Sequence, residues 1–198
     1  MTARTCLITG GNSGIGKAAA IQLAAQGDAV GIACRNRERG EAALADIRSA
    51  SGSTSVSLVV IDMASRESIR RGCEALREAG CTRLDTILHN AAEFDISRKT
   101  PVRSPDGVET VWAANHLGPV LLTHLLDREL SASGEGRVVT VSSKGLLVHP
   151  LLKVRLEDPE FTRGGYRPDL AYYQSKLAQV MYTTWLSGFA LMVVLYYF

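Results

Sequence analysis

Hydrophobic and polar positions follow two periods that take turns along this chain. Thr5–Thr9 (TCLIT) is a short apolar run that stops at glycines, and residues 15–26 then place Ala18, Ala19, Ile21 and Leu23 at helical spacing. Ala29–Cys34 (AVGIAC) reads as a second strand, and residues 37–50 as a helix carrying Leu44 and Ile47. Residues 55–62 (SVSLVVID) predict a third strand, and residues 65–79 a third helix with Ser65 as its cap. Residues 84–90 (LDTILHN) and 136–143 (GRVVTVSS) predict strands four and five. Between them, Asp106 to about Leu130 reads as helical, in one piece or in two around Asn115. Asp169 follows Pro168 and is expected to cap a last helix reaching about Trp185.

Short β-branched strands alternating with helices predict a doubly wound parallel sheet in a three-layer α/β/α arrangement, a Rossmann fold. No linker or repeat divides the chain, so residues 1–198 are expected to form one nucleotide-binding domain. Residues 144–168 are the one long irregular stretch, with Pro150, Pro159, Pro168, Gly145, Gly164 and Gly165. Loops of that length in compact domains are usually functional.

Composition narrows the classes. The chain has 198 residues, 46% hydrophobic and 21% charged, which argues against disorder. A net charge of +2 without a Lys/Arg run argues against a nucleic-acid partner. Cys6, Cys34, Cys73 and Cys81 form no C-x-x-C pair and are expected to be reduced, buried thiols. Thr5–Thr9 is too short for a signal-peptide core, so no secretion and a cytoplasmic location are expected. His89, His116, His124 and His149 lack metal-ligand spacing, and no metal is expected.

The first strand runs into Thr9-Gly10-Gly11-Asn12-Ser13-Gly14-Ile15-Gly16 and then a helix. Gly10 suits a tight turn, Gly14 a close backbone approach to a pyrophosphate, and Gly16 close packing of the helix on the sheet. The free N–H groups and positive end of that helix favour phosphate. At the tip of the second strand stands Cys34-Arg35-Asn36-Arg37, with no carboxylate to hold a ribose 2′-OH. Arginine there suits a 2′-phosphate, which favours NADP(H) over NAD(H). The bland alternative is that Arg35 and Arg37 merely open a solvated helix.

Ser142-Ser143 ends the fifth strand, Tyr172 and Lys176 stand at i and i+4 of the last helix, and Asn115 opens Asn-His-Leu-Gly. With the glycine turn, these residues resemble the short-chain dehydrogenase/reductase family. Ala33-Cys34-Arg35-Asn36, Asn115-His116-Leu117-Gly118, Val141-Ser142-Ser143 and Tyr172-Tyr173-Gln174-Ser175-Lys176-Leu177-Ala178 are similar to the branch of retinol dehydrogenases and protochlorophyllide reductase. The resemblance implies an oxidoreductase that interconverts a carbonyl and an alcohol. Tyr172 would be the general acid/base, Lys176 would lower its pKa and hold the nicotinamide ribose, and Ser143 would bond the substrate oxygen. Asn115 would hold a relay water. Gly10, Asn12, Ser13, Gly14, Ile15 and Gly16 would hold the cofactor phosphates, and Arg35 the 2′-phosphate. Asp62 and Met63 would meet the adenine, Asn90 and Ala91 the ribose. The implied substrate is a small lipophilic carbonyl or alcohol, and a homo-oligomer is one possible state. His89 and Ala92 depart from the family's usual Asn-Asn-Ala-Gly.

The end of the chain departs further. No charged side chain follows Lys176, and the final 14 residues hold five of the 12 aromatics. The family continues with a strand, a substrate cover, a helix and a seventh strand, and a strand-helix-strand unit needs about 30 residues. Only 12 residues follow Leu186, so half of the substrate pocket is expected to be missing, with strand five (Val138, Val139, Val141) as an exposed edge. Three readings stand for the tail. Phe189–Phe198 forms a sixth strand beside strand five; residues 177–198 form one uncharged helix long enough to span a bilayer; or the sequence there is foreign to the family. The alternative to an enzyme is a catalytically inactive nucleotide-binding fragment.

Overall fold

The computed structural model describes residues 3–188 and the backbone of residues 192–195. Its parallel sheet has the order β3-β2-β1-β4-β5-β6. The strands are β1 (Thr5–Thr9), β2 (Ala29–Cys34), β3 (Val56–Val60), β4 (Thr86–His89), β5 (Arg137–Val141) and β6 (Met192–Leu195). Helices α1 (Gly14–Ala25), α2 (Arg37–Ser51) and α3 (Arg66–Glu78) connect the first four strands. Between β4 and β5 lie α4 (Thr110–Trp112), α5 (Gly118–Leu125) and α6 (Asp127–Ser131); α7 (Pro168–Ser187) follows β5. Order reverses between β1 and β4, which opens a crevice at the carboxyl ends of those strands.

Two apolar layers cover the sheet. One packs Ala20, Ala24, Ala43 and Ile47 of α1 and α2 on Ile8, Val30 and Ile32. The other packs Ile69 and Cys73 of α3 and Leu122 of α5 on Leu7, Ile61 and Ile87. Ser65 caps α3 by accepting a hydrogen bond from the Ser68 N–H, as its sequence position predicts.

The structure differs from expectation at three points. The segment before α5 is helical only from Thr110, and Glu109 caps it by accepting from the Trp112 N–H. Helix α4 then runs into a π turn, Ala113–Leu117, where the Gly118 N–H bonds the Ala113 carbonyl five residues back. Pro119 explains the widened turn: it has no N–H for the Asn115 carbonyl, and its ring would crowd that carbonyl in a regular helix. At α7 the cap position belongs to Arg167; Asp169 sits inside the first turn and pairs with Arg167 at 2.5 Å. The reading of residues 177–198 as one helix also fails, since α7 ends at Ser187. Met192–Leu195 instead pairs in parallel with Val138–Val141, covering the edge of β5. The rest of the expected strand, 189–191 and 196–198, lies outside the described residues. Among the described residues no helix is long and apolar enough to cross a membrane.

Candidate active site

The crevice floor is made by glycines that have no room for a side chain. Gly10 adopts φ +67°, and a Cβ there would stand 2.9 Å from the Ala91 Cα. A Cβ on Gly16 would stand 2.6 Å from the Gly10 carbonyl oxygen and 2.5 Å from the Asn90 amide. Asn90 binds this turn to β4, donating through Nδ2 to the carbonyls of Thr9 (3.0 Å) and Gly10 (3.2 Å). The Thr9 hydroxyl accepts from the N–H groups of Asn90 and Ala91, both at 3.1 Å. Asn90 therefore acts on the glycine turn, a task that its expected ribose contact did not suggest.

The N-terminus of α1 opens at this turn. Ser13 makes no side-chain capping bond and the first turn holds no acidic residue, so the helix itself supplies no counter-charge to its positive end. Gly14 adopts φ +52° with open space around it, while Ser13 and Ile15 are exposed and Asn12 is half-buried. A cleft of about 100 Å³ continues from Gly10 between Ala33, Arg35, Ile61, Met63 and Ala91. Asp62 borders it; its carboxylate accepts from the Ala64 N–H at 2.9 Å and shapes that bend. The turn, the uncapped helix end and the cleft fit the phosphates and adenosine of a dinucleotide.

The second group of residues meets where β5 and α7 converge. Lys176 is 1% exposed, and its Nζ donates to the Val141 carbonyl at 2.9 Å. Burial pushes its ammonium down to about 8. The Nζ lies 5.7 Å from the centre of the Tyr172 ring. Burial pushes the Tyr172 phenol above its ordinary value, while the Ser143 hydroxyl beside it pulls the other way. Burial sets the net direction for that phenol upward, and Lys176 Nζ is engaged by the Val141 carbonyl. Ser143 is half-buried at the cleft and also accepts from the Gly145 N–H at 3.2 Å, whereas the neighbouring Ser142 is buried.

Asn115 is fully buried in the π turn. Its Oδ1 accepts from the Glu93 N–H (2.7 Å), and its Nδ2 donates to the Glu93 carbonyl (3.0 Å) and to Ser175 Oγ (3.1 Å). Ser175 in turn donates to the Tyr172 carbonyl at 2.6 Å. These partners occupy the side-chain amide, which ties the loop after β4 to the tyrosine turn. Sequence reasoning gave no role to Ser175, Glu93 or Phe94. Ser175 lies within the Tyr-to-Lys motif; Phe94, whose ring centre is 4.4 Å from that of Tyr172, carries no sequence signal.

His89 is buried, shares a hydrogen bond with the Thr123 hydroxyl at 2.8 Å, and is pushed down to about 3, first by burial and then by Lys176. Burial likewise raises Cys6 and Cys73 to about 11, which leaves them poor nucleophiles.

Residues 4–151 match the family model described as short chain dehydrogenase. Dehydrogenase/reductase SDR family member 13 of Bos taurus is 42% identical over 90% of this chain and 45% of its own length. Human retinol dehydrogenase 13 is 37% identical over 93% of this chain and 54% of its own. The chain thus spans about half the length of these curated relatives. An uncharacterized crystallised protein from Mycobacterium Paratuberculosis superposes with a TM-score of 0.81 at 32% identity, covering 98% of this chain and 67% of that one. L-Sorbose reductase from Gluconobacter frateurii, crystallised with NADPH and L-sorbose, shares the fold at TM-score 0.74 and 23% identity, covering 95% of this chain and 64% of that one. Glycine turn, strand order and matched length agree: the chain belongs to the short-chain dehydrogenase family, in its retinol dehydrogenase-like branch.

Proposed function

We propose that this chain is an NADP(H)-dependent oxidoreductase that interconverts a small lipophilic carbonyl and its alcohol. The observation that carries the reading is the meeting of Ser143, Tyr172 and buried Lys176 at the same sheet edge as the glycine turn. When bound, the nicotinamide supplies or takes up the hydride. In the reducing direction Tyr172 gives its phenolic proton to the substrate oxygen; in the oxidising direction it takes one back. Ser143 donates a hydrogen bond to that oxygen where negative charge develops. Lys176, still largely protonated at neutral pH, brings positive charge to the pocket and holds the ribose. Arg35, exposed at the tip of β2, takes the 2′-phosphate. Relatives named for retinol and the apolar rings of Phe94 and Tyr172 support a lipophilic substrate. Four free cysteines support a reducing, cytoplasmic setting.

The test is NADPH oxidation against a panel of aldehydes and ketones, with Tyr172→Phe beside the unaltered chain. The variant is expected to keep NADPH affinity and lose about 10²- to 10⁴-fold in kcat, the range of one general acid/base. Equal rates would remove Tyr172 from the mechanism. NADPH binding without turnover of any carbonyl would favour the inactive nucleotide-binding fragment.

A further inference from the structure

The strand order places β1 between β2 and β4. An ion pair from the residue after β2 to the loop after β4 therefore crosses over the end of β1 and the glycine turn. Such a pair exists: Arg35 Nη1 lies 3.3 Å from Glu93 Oε2. Arg35 also walls the adenosine cleft together with Gly10, Ala33 and Met63.

Glu93 is a built acceptor. Both polar groups of its backbone are bonded by the Asn115 amide, so its Cα is fixed from the π turn. Its side chain is 16% exposed, against 68% for that of Arg35. Its other oxygen, Oε1, accepts from Arg98 Nη2 at 2.5 Å. One carboxylate thus holds two guanidinium groups, a loose one over the cleft and a well-packed one behind it.

We infer that Glu93 is a cofactor-specificity residue: it holds Arg35 across the adenosine cleft, and a 2′-phosphate takes Arg35 from it. The inference rests on the proposed use of Arg35 for NADP(H). The exchange is cheap, because Glu93 keeps Arg98 when Arg35 leaves and no buried charge is stranded. Exposed ion pairs of the Arg35 kind are weak, so a dianionic phosphate with bidentate geometry displaces this carboxylate. A cofactor with only a 2′-OH offers no anion for Arg35 and leaves the pair closed. Glu93 therefore lowers affinity for NADPH, whose phosphate must displace it and then sit near its charge, and leaves that for NADH nearly unchanged.

The experiment measures dissociation constants for NADPH, NADH and 2′,5′-ADP by calorimetry on the unaltered chain, Glu93→Gln and Arg35→Ala. Glu93→Gln is expected to tighten NADPH and 2′,5′-ADP by about two- to fivefold while NADH changes by less than half that factor. Glu93→Ala is expected to give the same direction, and serves if the glutamine variant folds poorly. A Glu93→Gln chain with an unchanged NADPH-to-NADH ratio, in a protein where Arg35→Ala still abolishes NADPH preference, overturns the role of Glu93 alone. If Arg35→Ala leaves the preference untouched, the use of Arg35 falls, and this inference with it. If no nucleotide binds, the proposed function itself is overturned.

Discussion

The two sides of the crevice are built from different materials. On the nucleotide side, the glycine turn is tightly packed: Gly10 on the Ala91 backbone, Gly16 on the Gly10 carbonyl, and Gly11 on the Ile32 side chain. On the other side, residues 144–167 hold one short 3₁₀ turn (Lys144–Val148) and then irregular chain. There Leu151 is 89% exposed and Leu156 82%, while Tyr172 and Lys176 hang from α7 and Ser143 from the end of β5. A side made of backbone has one shape, so its ligand is largely chosen before it arrives. A side made of long side chains on a loop leaves its ligand to be set by what those side chains touch.

This contrast can be pressed at several points, after Tyr172→Phe. The largest structural effect is expected from Gly16→Ala, which drives a methyl into the Gly10 carbonyl. Overpacking of this kind costs about 1–3 kcal/mol, read by urea unfolding, and NADPH binding should disappear with it. A Gly16→Ala chain that binds NADPH normally would show that the nucleotide side yields after all.

A comparable effect concerns pH. His89 in the folded chain is pushed down to about 3, against an ordinary value of 6.5. The unfolded chain takes up the proton first, so this contribution is complete above pH 6.5 and is lost as pH falls from 6.5 toward about 3. His116, pushed down to about 4 by burial, acts with the same sign. His89→Asn should flatten the acid limb of stability by about 2 kcal/mol between pH 7 and pH 5, measured by denaturation at each pH. An unchanged limb would place the acid sensitivity elsewhere. The smallest effect is expected from Leu151→Ser, within about 0.5 kcal/mol of the unaltered chain, as for surface positions without special contacts. A larger loss would mean that the loop is packed more firmly than its exposure indicates.

The same contrast governs how much was legible in the residues. Strands β1 to β5, the glycine turn and the Ser65 cap follow from spacing and local propensity, which act over a few residues. The π turn was not legible, although Pro119 carries its cause, because a helix-interior proline more often kinks or ends a helix than widens one turn. The partners of Asn115 were invisible for a different reason. Glu93 and Ser175 reach it from 22 and 60 positions away, and no periodicity records such a meeting. The partner of Arg35 escaped the sequence in the same way, because Glu93 stands 58 positions off. The tail was ambiguous because apolar, β-branched and aromatic residues suit both a strand and a helix. Pairing with Val138–Val141 settles that for Met192–Leu195.

The π turn at Ala113–Leu117 has one more consequence, in the arithmetic of chain length. A widened turn holds one residue more than a regular one, so the helix could lose a residue there and remain a helix. Deleting Ala114 would close the widened turn to a regular one and bring the Pro119 ring against the Asn115 carbonyl. Asn115 would no longer sit in register with the loop it grips. At this one position a shorter helix and a competent crevice are alternatives, and the chain keeps the extra residue.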